Sequence, residues 1–423
     1  MKIVYIFIHP SISQSKIQYV LNNINFHPFC KRAINFRLTH EQALADMFYG
    51  PIETYQVNTY QMIANQCILT NEIKLFDLKS LVFPYAATKL HFIGHNSSNQ
   101  LKLQEKKLIN GDIFETLFFH WSRYEEVHWP LEKRDQWDLM PELDLHVVKN
   151  GMYTSPFLDD LILWLIRLFL PDFQFVYNKQ FIYTYDIDYL HFDELSYRNM
   201  IGEILSILKR SNHPFQGISK FIKFIKEPQI NFDALFPSNT GIVFLLMGGS
   251  HAFDYPKTPN AYKRIDHLVQ YVVQLGMDLG IHPSFETTYG VEKMYNELHL
   301  LEKISGYKIT KSRQHFLHID YDKTIPLLEQ CGIEEDYSCG FNLYTGYKVG
   351  TSFPFYYWNW QYNRPSTIIS YPLIWMDSAQ WYQSKKQINT YNEEKTKFFK
   401  SITYGETQVN EHPIFQTKLK YLL

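Results

Sequence analysis

From residue 181 onward this 423-residue chain alternates short β-prone runs with helical stretches, and most of the runs end on a residue able to do chemistry. Phe181 to Leu190, FIYTYDIDYL, is the first of them. Ile182, Tyr183, Thr184 and Tyr185 favour an extended backbone. Side chains two apart on a strand share a face, so Asp186 and Asp188 project together from its end. Two carboxylates that close either bind a cation or hold their pKa values apart. Gly241 to Met247, GIVFLLM, is the continuous apolar run of a buried parallel strand, punctuated by Gly248-Gly249. Asp278 to His282 reads as a short strand closing on His282, and residues 307–312 as one leading into Arg313. A further strand end carries Asp336, and residues 366–373 form the final strand, followed by Trp375-Met376-Asp377. Helical spacing fills the intervals at 196–210, 261–276, 294–304 and 325–331. Candidate residues thus recur just after strands, and in β/α barrels those ends form the active-site face.

The first part of the chain reads as a smaller α/β domain. Met1 to Pro10 is an opening strand, residues 72–83 hold another strand or two, and residues 100–110 form a Lys-rich connection. Ile113, Phe114, Leu117, Phe118 and Trp121 fall at helical spacing behind Asp112 as N-cap. Arg123 and Glu126 follow as an i, i+3 ion pair with a structural role. Ser155 to Leu170 is a helix apolar nearly all round, expected to be buried between domains, and Pro171 ends it. The boundary therefore falls near 175, with residues 1–175 and 176–423 as the two domains.

Composition narrows the function. Hydrophobic residues at 45% and charged ones at 20% describe a globular protein. A formal charge of −2 gives no support for nucleic-acid binding, which usually brings a basic excess. Leu161 to Leu170 is too short to span a bilayer and contains Arg167. Cys30, Cys67, Cys331 and Cys339 show no CxxC spacing and suit free thiols in a reducing compartment. The opening apolar run is broken by His9 and Pro10, which favours a strand over a signal peptide. A soluble cytoplasmic protein is expected.

Taken in order, these blocks resemble the polysaccharide deacetylases, metal-dependent carbohydrate esterases built on a distorted β/α barrel, over about residues 180–380. Thr184-Tyr185-Asp186-Ile187-Asp188 is similar to that family's Thr-Phe-Asp-Asp run, with Ile187 separating two residues that are adjacent there. The resemblance implies Asp186 as general base and Asp188 as a metal ligand. Gly276 to His282 resembles the lead into the His-[Ser/Thr]-x-x-His metal motif, which puts His282 at the first histidine and Glu286 at the second. Asp188, His282 and Glu286 are then the implied ligands for Zn²⁺ or, with two carboxylates, for Mn²⁺ or Mg²⁺. Arg313 stands where the family has an arginine bonded to the catalytic Asp, and His315 replaces the proline of its Arg-x-Pro. Asp336 resembles the Asp of the fourth motif. The last motif, Leu-x-His, matches the block ending in Asp377, with Met376 at the acid histidine. Methionine cannot donate a proton, so either His315 or His318 substitutes, or the mechanism is altered, or catalysis is lost. With SRYEE in the first domain, the whole chain resembles a group of two-domain deacetylase-like proteins common in Bacteroidota.

The chemistry so implied is removal of N- or O-acetyl groups from a glycan. Glu286 and Met376 point to an alternative, a non-catalytic glycan-binding or polysaccharide-assembly protein on a degenerate barrel. A third reading, a glycosyltransferase using the DxD with Mg²⁺, lacks a Gly-rich phosphate loop and leaves His282 unexplained.

Overall fold

The computed structural model describes residues 1–51, 59–64, 68–69, 93–94, 103–104, 107–109, 111–190, 235–236, 240–255, 257–385 and 387–413, with scattered positions between 201 and 222. The strands expected at 72–83, most of the connection at 100–110 and most of the helix at 196–210 lie outside these residues. The chain forms two compact units. One is Met1–Tyr177 with Tyr347–Ile369, and the other is Asn178–Gly346 with Ser370–Leu423.

In the first unit, β1 (Lys2–Ile8), β2 (Ile34–Thr39), β3 (Met47–Gly50) and β4 (Tyr60–Ile63) lie in the order β2-β1-β3-β4. All these pairings are parallel. Alternation along β1 buries Val4 and Ile6. The helix α1 (Gln14–Phe26) buries Ile17, Val20, Leu21 and Ile24, a helical stripe. Asp112 caps α2 (Ile113–Trp121) by accepting from the Glu115 amide at 2.9 Å. Arg123 then turns left-handed at φ +56° and breaks the chain into a separate short α3 (Tyr124–Val127). Arg123 is buried and Glu126 half-buried, and Lys348 Nζ lies 3.1 Å from the second Glu126 oxygen.

Residues 347–369, expected with the second domain, belong to this first unit. The Tyr356 carbonyl accepts from Tyr19 Oη at 2.8 Å and Asn23 Nδ2 at 3.2 Å. The Trp358 ring packs edge-on against Tyr19 and Phe118. Asp159, buried on α4 (Phe157–Phe169), accepts from the Ser352 amide and hydroxyl at 3.1 and 2.7 Å and pairs with Thr351. These polar matches lie nearly two hundred or more residues apart in sequence, beyond the reach of local patterning.

The second unit is an α/β layer around parallel strands. They are β5 (Gln180–Ile187), β6 (Ile242–Leu245), β7 (Asp278–Ile281), β8 (Lys311–Ser312), β9 (Glu335–Asp336), β10 (Leu373–Met376) and β11 (Glu406–Glu411). Their order is β9-β8-β7-β6-β5-β11-β10, in a curled half-barrel. The helices α5 (Pro259–Gln274), α6 (Val291–Ser305), α7 (Thr324–Gln330), α8 (Asp377–Gln383) and α9 (Ile388–Ser401) fill its connections. β6 is buried at every residue, as its unbroken apolar run requires. The block expected as one final strand at 366–373 is two strands, Arg364–Ser370 and β10. Neither is last in the chain. β11 follows and inserts between β5 and β10, pairing Asn410 with Thr184 on one side and with Met376 on the other.

Candidate metal and acid–base centre

β5 aims Thr184 and Asp186 along one face, and Asp188 follows just past its end. The register then determines their neighbours. β11 runs parallel beside β5 and carries Asn410 to Thr184, so that Asn410 Nδ2 donates to Asp186 Oδ2 at 2.6 Å. From beyond β8, Arg313 Nη1 donates to Asp186 Oδ1 at 3.0 Å and to Thr184 Oγ1 at 2.8 Å. Its Nε donates to the Tyr337 carbonyl, and its guanidinium lies 4.7 Å from the centroid of the Phe244 ring. Arg313 is fully buried, so its charge is matched where water cannot screen it. Burial would raise the Asp186 pKa; Arg313 foremost, with His282 and His412, outweighs it and holds the carboxyl below its ordinary value.

Asp188 faces two histidines. Its Oδ1 lies 3.3 Å from His282 Nε2 and 3.7 Å from His315 Nε2, and one ligand atom from each of the three residues falls within 4.8 Å of the others. Asp188 Oδ1 and His282 Nε2 are buried, and neither has a hydrogen-bond partner. The histidines reach this point with their other nitrogens engaged. His282 Nδ1 donates to the Arg313 carbonyl at 2.6 Å, and His315 Nδ1 to Asp254 Oδ1 at 3.0 Å. A carbonyl can only accept, so that bond places a proton on Nδ1 and turns His282 Nε2 toward Asp188. Burial again opposes the Asp188 charge, and His315, His412 and His282 together lower its pKa well below the ordinary range.

Such orphaned, converging donor atoms are what a divalent cation requires, and two imidazoles with one carboxylate suit Zn²⁺. Mg²⁺ and Mn²⁺ prefer a harder, oxygen-rich set.

Glu286 is not part of this group. Its carboxylate pairs with Lys293 and accepts from Ser250 Oγ at 3.0 Å, and both bonds lower its pKa. The reason is backbone geometry. Residues i and i+4 share a face only where the backbone keeps one regular conformation, whereas here it passes from an extended Ser284 into the tight turn that carries Glu286. His315 occupies the third corner instead, so both its ring nitrogens are engaged away from a leaving group. His318 stacks on Phe285 at 4.0 Å. Asp336 accepts from Ser338 Oγ at 2.7 Å and from Ser312 Oγ at 3.2 Å, which clamps the loop whose Tyr337 carbonyl holds Arg313.

Met376 is buried in an apolar cluster with Leu317, Leu373 and Ala379. A histidine stands one strand over. His412, two residues past Asn410, places Nε2 3.9 Å from Asp186 Oδ2. Asp377 holds it by accepting from Nδ1 at 2.6 Å and from the His412 amide at 2.8 Å. Burial disfavours the imidazolium, but Asp377, then Asp188 and Asp186, push its pKa up to about 10. Sequence reasoning missed Asn410, His412 and Asp254. The available signal was Val409-Asn410-Glu411-His412-Pro413, an apolar position running out into a histidine and a proline as at the earlier strand ends.

Residues 5–174 match a family of unknown function, DUF7033. No curated protein matches this chain. Among solved structures, the chain is similar to one named as a polysaccharide deacetylase from Mycobacterium smegmatis, with 11% identity, 59% of this chain and 84% of that chain covered, and a TM-score of 0.34. It is also similar to a probable polysaccharide deacetylase from Pseudomonas aeruginosa PAO1, with 10% identity, 58% and 82% covered, and a TM-score of 0.31. A CE4 family pseudoenzyme from Bacillus anthracis matches at 9% identity, with 58% and 60% covered and a TM-score of 0.27.

Proposed function

We propose that this chain is a metal-dependent hydrolase that removes N- or O-acetyl groups from a glycan. The observation that carries the reading is the meeting of Asp188 Oδ1, His282 Nε2 and His315 Nε2 within 4.8 Å, beside the buried Asp186–Arg313 pair. A divalent cation bound there supplies Lewis-acid polarisation of a carbonyl and lowers the pKa of water. Asp186 is the base. Its lowered pKa keeps it ionised at neutral pH, and Arg313 and Asn410 fix its orientation for taking a proton from the attacking water. His412 is the acid. Held at Nδ1 by Asp377, it stays protonated at neutral pH and presents Nε2–H to the leaving amine or alkoxide.

This arrangement separates the acid and base roles between two groups whose surroundings drive their pKa values apart. It also weakens the alternative of a degenerate glycan-binding barrel, which rested on Glu286 and Met376. His315 and His412 stand in space where those two residues leave gaps. Among the described residues no helix is long and apolar enough to cross a membrane.

The test is metal content and acetate release measured together. Asp188→Asn and His282→Ala are each expected to abolish both. Zinc retained at wild-type stoichiometry in both variants would overturn the ligand set.

A further inference from the structure

The geometry points to Asp254, on the connection between β6 and α5, as the positioning residue that makes His315 a metal ligand. This rests on the ligand set proposed above and extends it outward by one shell. An imidazole on a loop can turn about its two side-chain torsions, and it presents Nε2 to a cation only when something holds Nδ1. His282 has a backbone carbonyl for this purpose. His315 has the Asp254 carboxylate, which is itself fully buried.

Asp254 is also held in place. Its Oδ1 accepts from the Phe285 amide at 3.0 Å, and its Oδ2 from the His251 amide at 3.3 Å. One carboxylate therefore ties together the loops after β6, β7 and β8. Gly249 makes room for it. At φ +115° a side chain there would be strained, and a Cβ would lie 2.4 Å from the Asp254 carboxyl.

The experiment is zinc affinity of the full chain, by competition with a chromophoric chelator, in a double-mutant cycle. Asp254→Ala is expected to weaken zinc binding by about 10- to 100-fold. In a His315→Ala background the same change should cost nothing further, because Asp254 acts through that imidazole. Should Asp254→Ala fail to fold, the isosteric Asp254→Asn carries the same cycle, with an expected loss of about 10-fold. Unchanged affinity, or an equal loss with and without His315, would overturn the inference and leave the ligand set standing. Absence of zinc binding by the unmodified chain would instead overturn the ligand set itself.

Discussion

His412 carries the sharpest expectation at the scale of single residues. Glutamine there keeps a hydrogen-bond donor near Asp186 but cannot release a proton. His412→Gln should therefore lower kcat by about 10²- to 10⁴-fold while bound zinc stays at the wild-type level, read by steady-state kinetics with metal analysis. Loss of zinc along with activity would count against a separate acid role. The same residue predicts a pH effect in metal-stripped protein. Its folded pKa is raised from 6.5 to about 10, so the Asp377–His412 interaction stabilises fully below 6.5 and is lost as pH climbs through about 10. The melting-temperature advantage of wild type over His412→Gln should narrow across that window. Among the site residues, those legible in the sequence sit on or next to the strand whose pattern is strongest. Asp186, Asp188 and His282 end runs that are apolar or β-branched; alternation puts the two aspartates on one face, and the parallel strand ends bring His282 to the same rim. Glu286 misled because residue counting assumes one backbone conformation, and the extended Ser284 changes the face on which the fourth residue arrives. His412 was hidden because the acid motif's spacing points to Met376, one strand away from the histidine that faces Asp186.

At the scale of elements, the site depends on how closely β7 and β6 approach. Gly280 sits beside Phe244 in register, and a Cβ at that position would meet the Phe244 ring at 2.4 Å and the Lys311 carbonyl at 3.0 Å. Phe244 in turn supports the Arg313 guanidinium. Gly280→Ala should lower stability by about 1–3 kcal/mol through overpacking, measured by urea unfolding, and should reduce activity by shifting Arg313. A fully stable variant would mean the ring can move aside without cost. The strong elements were readable: β6 announces itself by an unbroken apolar run, and α5 by its helical spacing. β11 was not. Glu406–Glu411, ETQVNE, alternates weakly, and its polar Gln408 and Asn410 are buried by strand partners rather than by hydrophobicity. β8 and β9 stand at the expected ends but are shorter than expected: each is two residues, and the strand read over 307–312 forms only at Lys311–Ser312.

At the scale of the whole molecule, the chain leaves the second unit at 347, completes the first, and returns at 370. The segment is richer in aromatic residues than the chain as a whole, eight of 23 against 17%, but that enrichment does not say which unit it packs into. Its role is visible in what it buries and satisfies. Phe353, Phe355, Tyr357 and Trp358 are all nearly inaccessible to water. Without the segment, Tyr19 and Phe118 lose the Trp358 ring, and the buried Asp159 loses its bonds to Thr351 and Ser352. Burying a large aromatic ring and satisfying a buried carboxylate each contribute about 2–5 kcal/mol, comparable together to the whole stability of a typical domain. Residues 1–177 expressed alone should therefore show no cooperative transition when urea unfolding is followed by tryptophan fluorescence. The same residues joined through a flexible linker to 347–369 should recover one. A cooperative transition in the shorter fragment would show that the returning segment is an addition to a core complete without it.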